Sequence, residues 1–402
     1  MNVVLTLAIT LISLANLYIV TSSLGIAEFG QAVIVQNFLN LTVLLLIPRL
    51  NELAAEIFTS EFATHLITTT ILVLVPIYVL AIFISVFAMK VMIDETIFVF
   101  ENFTSYLILV VFVLPLGQVS SMFLRIKEYH IKAKLPEVVT VIITLILCVM
   151  HISYGSLTME KYLSIWSFSI LLGFLTSIAF VWQVQSLKFR MKKINFNFEF
   201  SNINHVVRLL KRYYIVGVLK ALNEFLIPNL LAQSAPSSSV AVYELAKKIC
   251  RPLPIIIGSI NQVLFPNLIR HDLNLTKLAH SVQRFMILSI SIITILSLIS
   301  VALLNVTFTE EFTLILQCCV IFAILHLINA LGLPFYALAV KFDKVGLRNK
   351  LNFIKILCMG LGMMMLGTTA DAKQAIIIMA MGSLFIRLTF DLPLYNNYLR
   401  SK

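Results

Sequence analysis

Long apolar runs separated by short polar stretches organise this chain. A helix crosses the hydrocarbon of a bilayer with about 20 apolar residues. Runs of that kind fall at 2–22, 30–48, 66–88, 104–124, 135–154 and 162–184. A second set falls at 213–233, 244–267, 284–305, 312–334, 350–366 and 374–394. The pattern predicts an all-α integral membrane protein, with twelve transmembrane helices in two pseudo-symmetric six-helix lobes. The first lobe covers 1–185, a basic connector 186–212, and the second lobe 213–402. Inside the connector, Ile194, Phe196, Phe198 and Phe200 alternate with Asn195, Asn197 and Glu199, a period of two that fits a short strand or an extended interfacial segment.

Composition agrees with the pattern. Hydrophobic residues make up 60% of the chain and charged residues 12%, where soluble domains carry about 25% charge. Of the 30 Lys and Arg residues, 21 fall in the even-numbered loops and the C-terminus, and only Lys90, Lys161 and Lys373 in the odd-numbered loops. Basic loops stay cytoplasmic, so both termini are expected in the cytoplasm, and most of the net charge of +11 is topological. That reading, with attraction to anionic headgroups, is favoured over nucleic-acid binding. Cys148, Cys250, Cys318, Cys319 and Cys358 all lie in predicted spans without a CxxC pair, so no disulfide framework is expected. The first span carries no small-residue cleavage pattern and reads as a retained helix.

Beyond the first three positions of each span, eight charged residues fall inside them: Lys220, Glu224, Lys247, Lys248, Arg251, Lys355, Arg387 and Asp391. A charge near the bilayer centre costs about 2.5–3.5 kcal/mol on insertion scales, and such residues usually face a bundle interior or a water-filled cavity on a solute path. Six of the eight are basic, which points to an anionic solute. Lys247 and Arg251 share a helical face with Lys248 beside them. Arg forks match phosphate oxygens and Lys supplies a point charge. The bland alternative for this stripe is snorkelling from a helix end. Lys220 with Glu224, and Arg387 with Asp391, are each four apart and read as self-neutralised pairs; Lys355, near a cytoplasmic end, reads as a snorkelling residue. Glu224 is also the candidate for ion coupling, since burial favours a protonated carboxyl.

Neutral polar residues collect in equivalent places of the two halves. The first span carries Thr6, Thr10, Ser13 and Asn16 along one face, and the second carries Gln36, Asn37 and Asn40 before ending at Arg49. The seventh carries Lys220, Asn223 and Glu224; the eighth Lys247, Lys248, Arg251, Ser259, Asn261 and Gln262. A hydrated cleft is one reading and helix-to-helix hydrogen bonding the other. The candidate substrate-binding set is Lys220, Lys247, Lys248, Arg251, Arg49, Asn16, Asn37, Asn40 and Asn223. Prolines within or at the ends of spans are candidate kinks. No GxxxxGK[ST] loop, HExxH motif or nucleophile arrangement occurs. No cofactor, metal or catalytic residue is expected.

Leu24-Gly25 with Glu28-Phe29-Gly30, then a helix ending Pro48-Arg49, resembles the polysaccharide (Wzx-like, O-antigen) flippases of the multidrug/oligosaccharidyl-lipid/polysaccharide (MOP) exporter superfamily. Asn223-Glu224, the run Val240 to Lys247 and Phe265-Pro266 are similar to that family's acidic residue in helix seven, its "vGxYxxA" entry to helix eight and the proline that closes it. Two departures are Ala241, where the family usually has glycine, and an opening without the short polar segment common before helix one.

The resemblance implies a MOP/MATE-like fold in the bacterial cytoplasmic (inner) membrane. It implies a flippase rather than an enzyme, moving a polyprenyl-diphosphate-linked oligosaccharide repeat unit to the outer leaflet by alternating access, for O-antigen, capsule or exopolysaccharide assembly. Its partners would be that lipid-linked glycan, membrane lipids, and the glycan polymerase and chain-length regulator of the same pathway, with no nucleic acid. Two rivals are a multidrug or cation exporter of the same superfamily, which favours carboxylates and aromatics, and an integral-membrane glycan polymerase or ligase, which expects a large external loop.

Overall fold

The computed structural model describes residues 2–46, 113–114, 116–117, 120–121, 123–124, 129–188, 218–219, 222–251, 253, 311–331 and 345–394. Among the described residues the backbone is helical with short breaks and contains no strand. The chain divides into two compact units, Met1–Leu24 with Val35–Phe225, and Gly25–Ile34 with Leu226–Lys402.

The first unit opens with helix α1 (Asn2–Leu46), which covers both the first and the second predicted span. The two are separated by a break at Gly25, whose φ of 77° and ψ of 164° belong to a backbone region that glycine enters and other residues essentially do not. The chain leaves the first unit at that glycine and rejoins it at Val35. Further on, α2 (His130–Tyr154) and α3 (Met159–Lys188) are joined by a short turn and pack along each other. Their contact uses small groups. A Cβ added to Gly173 would come within 2.9 Å of the Pro136 carbonyl oxygen, and that same carbonyl accepts the Thr140 hydroxyl at 2.9 Å. Close backbone approach at small residues is how helices associate where lipid leaves little hydrophobic drive. Phe123, Leu124, Ala133 and Val184 form a buried apolar cluster at one end of the pair, with Tyr129, Phe180 and Val181 against it.

In the second unit, α4 (Ser237–Ile249) follows Pro236, and α5 (Phe312–Leu331) packs on α4 and on α7 (Ala372–Ile386). Helix α6 (Val345–Leu366) also packs on α7, to which a 3-10 turn, Gly367–Thr369, connects it. Asp371 caps α7: its carboxylate accepts the Gln374 backbone N–H at 2.7 Å, and the Gln374 side chain accepts the Asp371 N–H at 3.1 Å. This capping box satisfies two donors that a helix start otherwise leaves without partners. After α7 the helix widens into a π turn, Arg387–Asp391.

Five stretches among the described residues are long and apolar enough to cross a membrane: Ala8–Leu41, Ile131–Tyr154, Met159–Val184, Phe312–Asn329 and Ala372–Leu394. The chain is a multi-pass membrane protein. Helices occupy the runs expected at 135–154, 162–184 and 374–394, and the described part, 312–331, of the run expected at 312–334. Two helices start earlier than expected, α4 at Ser237 rather than 244 and α6 at Val345 rather than 350, because the first turns of both carry polar residues, Ser237 to Ser239 and Arg348 with Asn349, and apolar counting discards those turns. The runs at 66–88 and 284–305, most of the connector, and the alternating segment 194–200 lie outside the described residues. So do the residues on which the count of twelve depends.

Candidate functional site

Helix α4 begins after Pro236 with three serines, a start signal that needs no apolar face. Its interior is packed: Val240, Ala241, Val242, Tyr243, Glu244, Leu245 and Ala246 are all buried. Tyr243 anchors it, with its ring edge-on to Phe322 of α5 at 5.3 Å and its hydroxyl 3.2 Å from the Met379 sulfur of α7. Phe322 in turn stacks on His326 at 6.1 Å. The helix closes at Cys250, and Arg251 follows in the turn.

Glu244, Lys247, Lys248 and Arg251 recur at intervals of three, four and seven along this helix and so share one face. Lys247 donates to the Glu244 carboxylate at 2.8 Å. The pair is asymmetric, since the Glu244 side chain is 5% exposed and that of Lys247 30%. The Lys247 ammonium also lies 5.7 Å from the centre of the Tyr243 ring. Lys248, one residue on, sits 5.3 Å from the centre of the Phe29 ring, a cation–π contact with a fully buried aromatic. Phe29 belongs to the segment Gly25–Ile34 that this unit takes from α1. Next to it, Gly30 is so close to the start of α4 that an added Cβ would lie 2.6 Å from the Ser237 carbonyl carbon.

The longer α4 changes where these charges stand. Lys247 is ten residues past Ser237, about 15 Å along the helix axis at roughly 1.5 Å per residue, which exceeds the reach of a lysine stem back to that end. Both lysines instead occupy the last turn, where carbonyl groups present partial negative charge and favour cations. Helix end, carboxylate and aromatic rings together explain how the two lysines are held on so apolar an element, and Arg251 stands exposed in the turn beyond it.

The other candidates are dispersed. Asn16, Asn37, Asn40, Asn223 and Glu224 belong to the first unit, and Lys247, Lys248 and Arg251 to the second. Asn16 is half-buried, and its side-chain oxygen is buried without a hydrogen-bond partner. Asn37 is buried, Asn40 and Asn223 are half-buried, and Glu224 is exposed. Gln36, beside Asn37, donates to the Tyr162 hydroxyl at 3.3 Å and so ties α1 to α3. Arg49 and Lys220 lie outside the described residues.

A second charged cluster holds the base of α6 and α7. Arg387 donates to Asp391 across the π turn, to the Ile328 carbonyl at 3.1 Å and to the Asn329 carbonyl at 3.5 Å. Arg348 of α6 reaches the same Asp391 at 3.9 Å. The pair expected from sequence is therefore a junction joining α5, α6 and α7. Lys355 differs from expectation. It is 8% exposed, and a Cβ on Gly382 would meet its stem at 3.1 Å, so it is packed between α6 and α7 rather than extended to an interface. Its helix starts five residues earlier than expected and places it correspondingly deeper.

Glu244, Phe29, Tyr243 and Arg348 are the site residues that sequence reasoning passed over. Glu244 stood at the edge of the predicted span, and the Pro236 and Ser237–Ser239 start signal would have moved it inside. Nothing local in the sequence pairs Phe29 with Lys248.

No family model matches the sequence, and no curated protein matches it. Solved structures match it in fold. An inward-facing multidrug resistance MATE family transporter of the MOP superfamily superposes with a TM-score of 0.67 at 13% identity, over 98% of each chain. The lipid II flippase MurJ, in an inward closed conformation, gives 0.67 at 13% identity, over 98% of this chain and 90% of that one. A MOP superfamily transporter from Pyrococcus furiosus, described as having a binding pocket of reverse polarity that suggests a different function, gives 0.56 at 11% identity, over 98% and 92%. The chain has the fold of these transporters.

Proposed function

We propose that this chain is a MOP-type transporter that carries an anionic, lipid-linked solute, and that the solute is a polyprenyl-diphosphate-linked oligosaccharide flipped to the outer leaflet of a bacterial cytoplasmic membrane by alternating access. The observation that carries this reading is the end of α4, where Lys247 and Lys248 in the last turn and Arg251 just beyond it stand together on a helix otherwise packed into the protein. A diphosphate brings clustered anionic oxygens that a point-charge ammonium and a forked guanidinium match. Such charges are costly at membrane depth unless they serve a partner or a path. The fold shared with a lipid II flippase supports a lipid-linked cargo. Asn16, Asn37, Asn40 and Asn223 are the candidate sugar contacts and Arg49 and Lys220 further anion contacts; Glu224 is exposed, so the burial from which an ion-coupling role was expected does not support one. The cargo's assembly enzymes, a glycan polymerase and a chain-length regulator, are its natural partners in the membrane.

The experiment is removal of the protein from its host. Lipid-linked repeat units are then expected to accumulate on the cytoplasmic face and to be cleared when the chain is restored. Absence of accumulation would end the flippase reading. A second reading, export of organic cations, is favoured by one specific observation: the buried Glu244 carboxylate beside Tyr243, the combination a cationic guest uses. The same host separates the two, since a cation exporter changes drug tolerance and leaves the lipid-linked pool untouched.

A further inference from the structure

We propose that Glu244 is a built-in competitor for the substrate's phosphate: it occupies Lys247 in the resting protein, and an arriving anion takes its place. This rests on the reading above, that the α4 face binds a diphosphate, and it names the group that regulates the grip. An ammonium has three donors and no means of choosing between a carboxylate oxygen and a phosphate oxygen except geometry and charge. Glu244 presents its carboxylate to Lys247 at 2.8 Å from one turn away on the same helix. Because it is tethered, it competes at a high effective concentration without diffusing.

The burial pattern assigns the roles. The acid is the fixed member, 5% exposed and packed in the helix interior, and the base is the reaching member, 30% exposed. A ligand therefore meets Lys247 from the open side while Glu244 holds it from the closed side. Lys248 is held differently, by the face of Phe29, an attraction that leaves its N–H donors available to an anion. Of two adjacent lysines, one is paired directly with the carboxylate, a contact that a substrate has to displace, and the other rests on a ring and feels the same carboxylate only through its field. Lys248 and Arg251 then form the first contact and Lys247 the contact exchanged against Glu244.

This arrangement answers a requirement of transport rather than of binding. Three bases on one face would hold a diphosphate too long, and a carrier has to let go. An internal carboxylate that reclaims Lys247 lowers the affinity and speeds release, since affinity among related complexes is set mostly through dissociation. A purely structural pair would behave in the opposite way, because its loss would loosen the helix end and weaken the site.

The test measures binding of inorganic diphosphate to the purified full-length protein in lipid nanodiscs. Glu244→Gln keeps the shape and removes the charge, and it is expected to tighten binding about fivefold to tenfold, the lower range of measured coupling between two sites. Glu244→Asp keeps the charge but shortens the arm, and is expected to give a smaller gain; it serves where the glutamine variant fails to insert. Glu244→Gln combined with Lys247→Gln is expected to lose the gain, since no exchanged contact remains. In reconstituted vesicles Glu244→Gln should transport more slowly despite binding more tightly. Equal or weaker diphosphate binding by both Glu244 variants overturns the proposal. If the parent binds diphosphate and loses it in Lys248→Gln while the Glu244 variants do not tighten, the competitor role alone fails. If neither the parent nor any variant binds diphosphate, the site reading fails with it.

Discussion

Replacing Gly30 with alanine puts a methyl group where the structure holds backbone. The new Cβ would lie 2.6 Å from the Ser237 carbonyl carbon and 3.2 Å from its Cβ, where ordinary contact begins at 3.4 Å. The Ser237 carbonyl oxygen is nearer still, and the obstacle is helix backbone and not the end of a flexible side chain, so the segment or the helix itself has to shift. Overpacking of this kind costs about 1–3 kcal/mol. Against it stands the helix propensity gained on replacing glycine by alanine, about 0.8–1.0 kcal/mol, which leaves a net loss of up to about 2 kcal/mol. Gly362 supplies the control. It sits inside α6, four residues before its last residue, and its added Cβ would make an ordinary contact with Ile378 at 3.6 Å, so the same chemical change should stabilise by up to about 1 kcal/mol. The assay is thermal unfolding in detergent followed with a thiol-reactive dye. Cys148, Cys250, Cys318 and Cys319 are free and buried, and so react only on unfolding, while exposed Cys358 is first changed to serine. The expected order of midpoints is Gly362→Ala above the parent and the parent above Gly30→Ala. A Gly30→Ala midpoint at or above the parent would refute the close approach of residues 25–34 to α4.

Other perturbations probe the remaining elements. Gly25→Ala forces a side chain into a backbone region reserved for glycine and should cost about 1–3 kcal/mol in the same thermal assay, although no atom lies within 4 Å of the added Cβ. Asp371→Ala removes the α7 capping box and should lower stability by about 1 kcal/mol, with Asp371→Asn losing less. Asp391→Ala leaves the Arg387 guanidinium without its carboxylate, a change that costs about 3–5 kcal/mol for buried pairs and should appear as a sharp loss of folded protein in detergent. Replacing Lys247, Lys248 and Arg251 together with glutamine should abolish export while the protein still inserts; retained export would remove the α4 face from the transport path.

How much of this was legible in the sequence depended on what each feature rests on. Four apolar runs were placed within a few residues of their helices, because a bilayer demands length and hydrophobicity and little else. The failures share one cause, which is that apolar counting trims polar helix starts. At α4 the trimming dropped Ser237 to Tyr243, put Glu244 on the boundary, and left Lys247 apparently close enough to an end to snorkel. At α6 it dropped Val345 to Asn349, so Lys355 looked shallow and Arg348 looked like a loop residue. Each short boundary thereby hid a charge partner: Glu244 for Lys247, and Arg348 for Asp391.

A different limit governs Phe29 and Gly30. They stand more than two hundred positions before Lys248 and Ser237, and their pairing depends on the break at Gly25, which sends residues 25–34 to the second unit. Sequence marks that glycine but not the direction the chain takes from it. The consequence reaches the chemistry. From sequence alone the α4 face carries three bases and a net excess of three charges. With Glu244 folded onto it the excess is two, and with Phe29 over Lys248 a further part of that charge is met by a ring. A site that looked like an unrelieved trap for anions is instead partly satisfied by the protein itself, and a carrier that has to release its cargo needs that partial satisfaction.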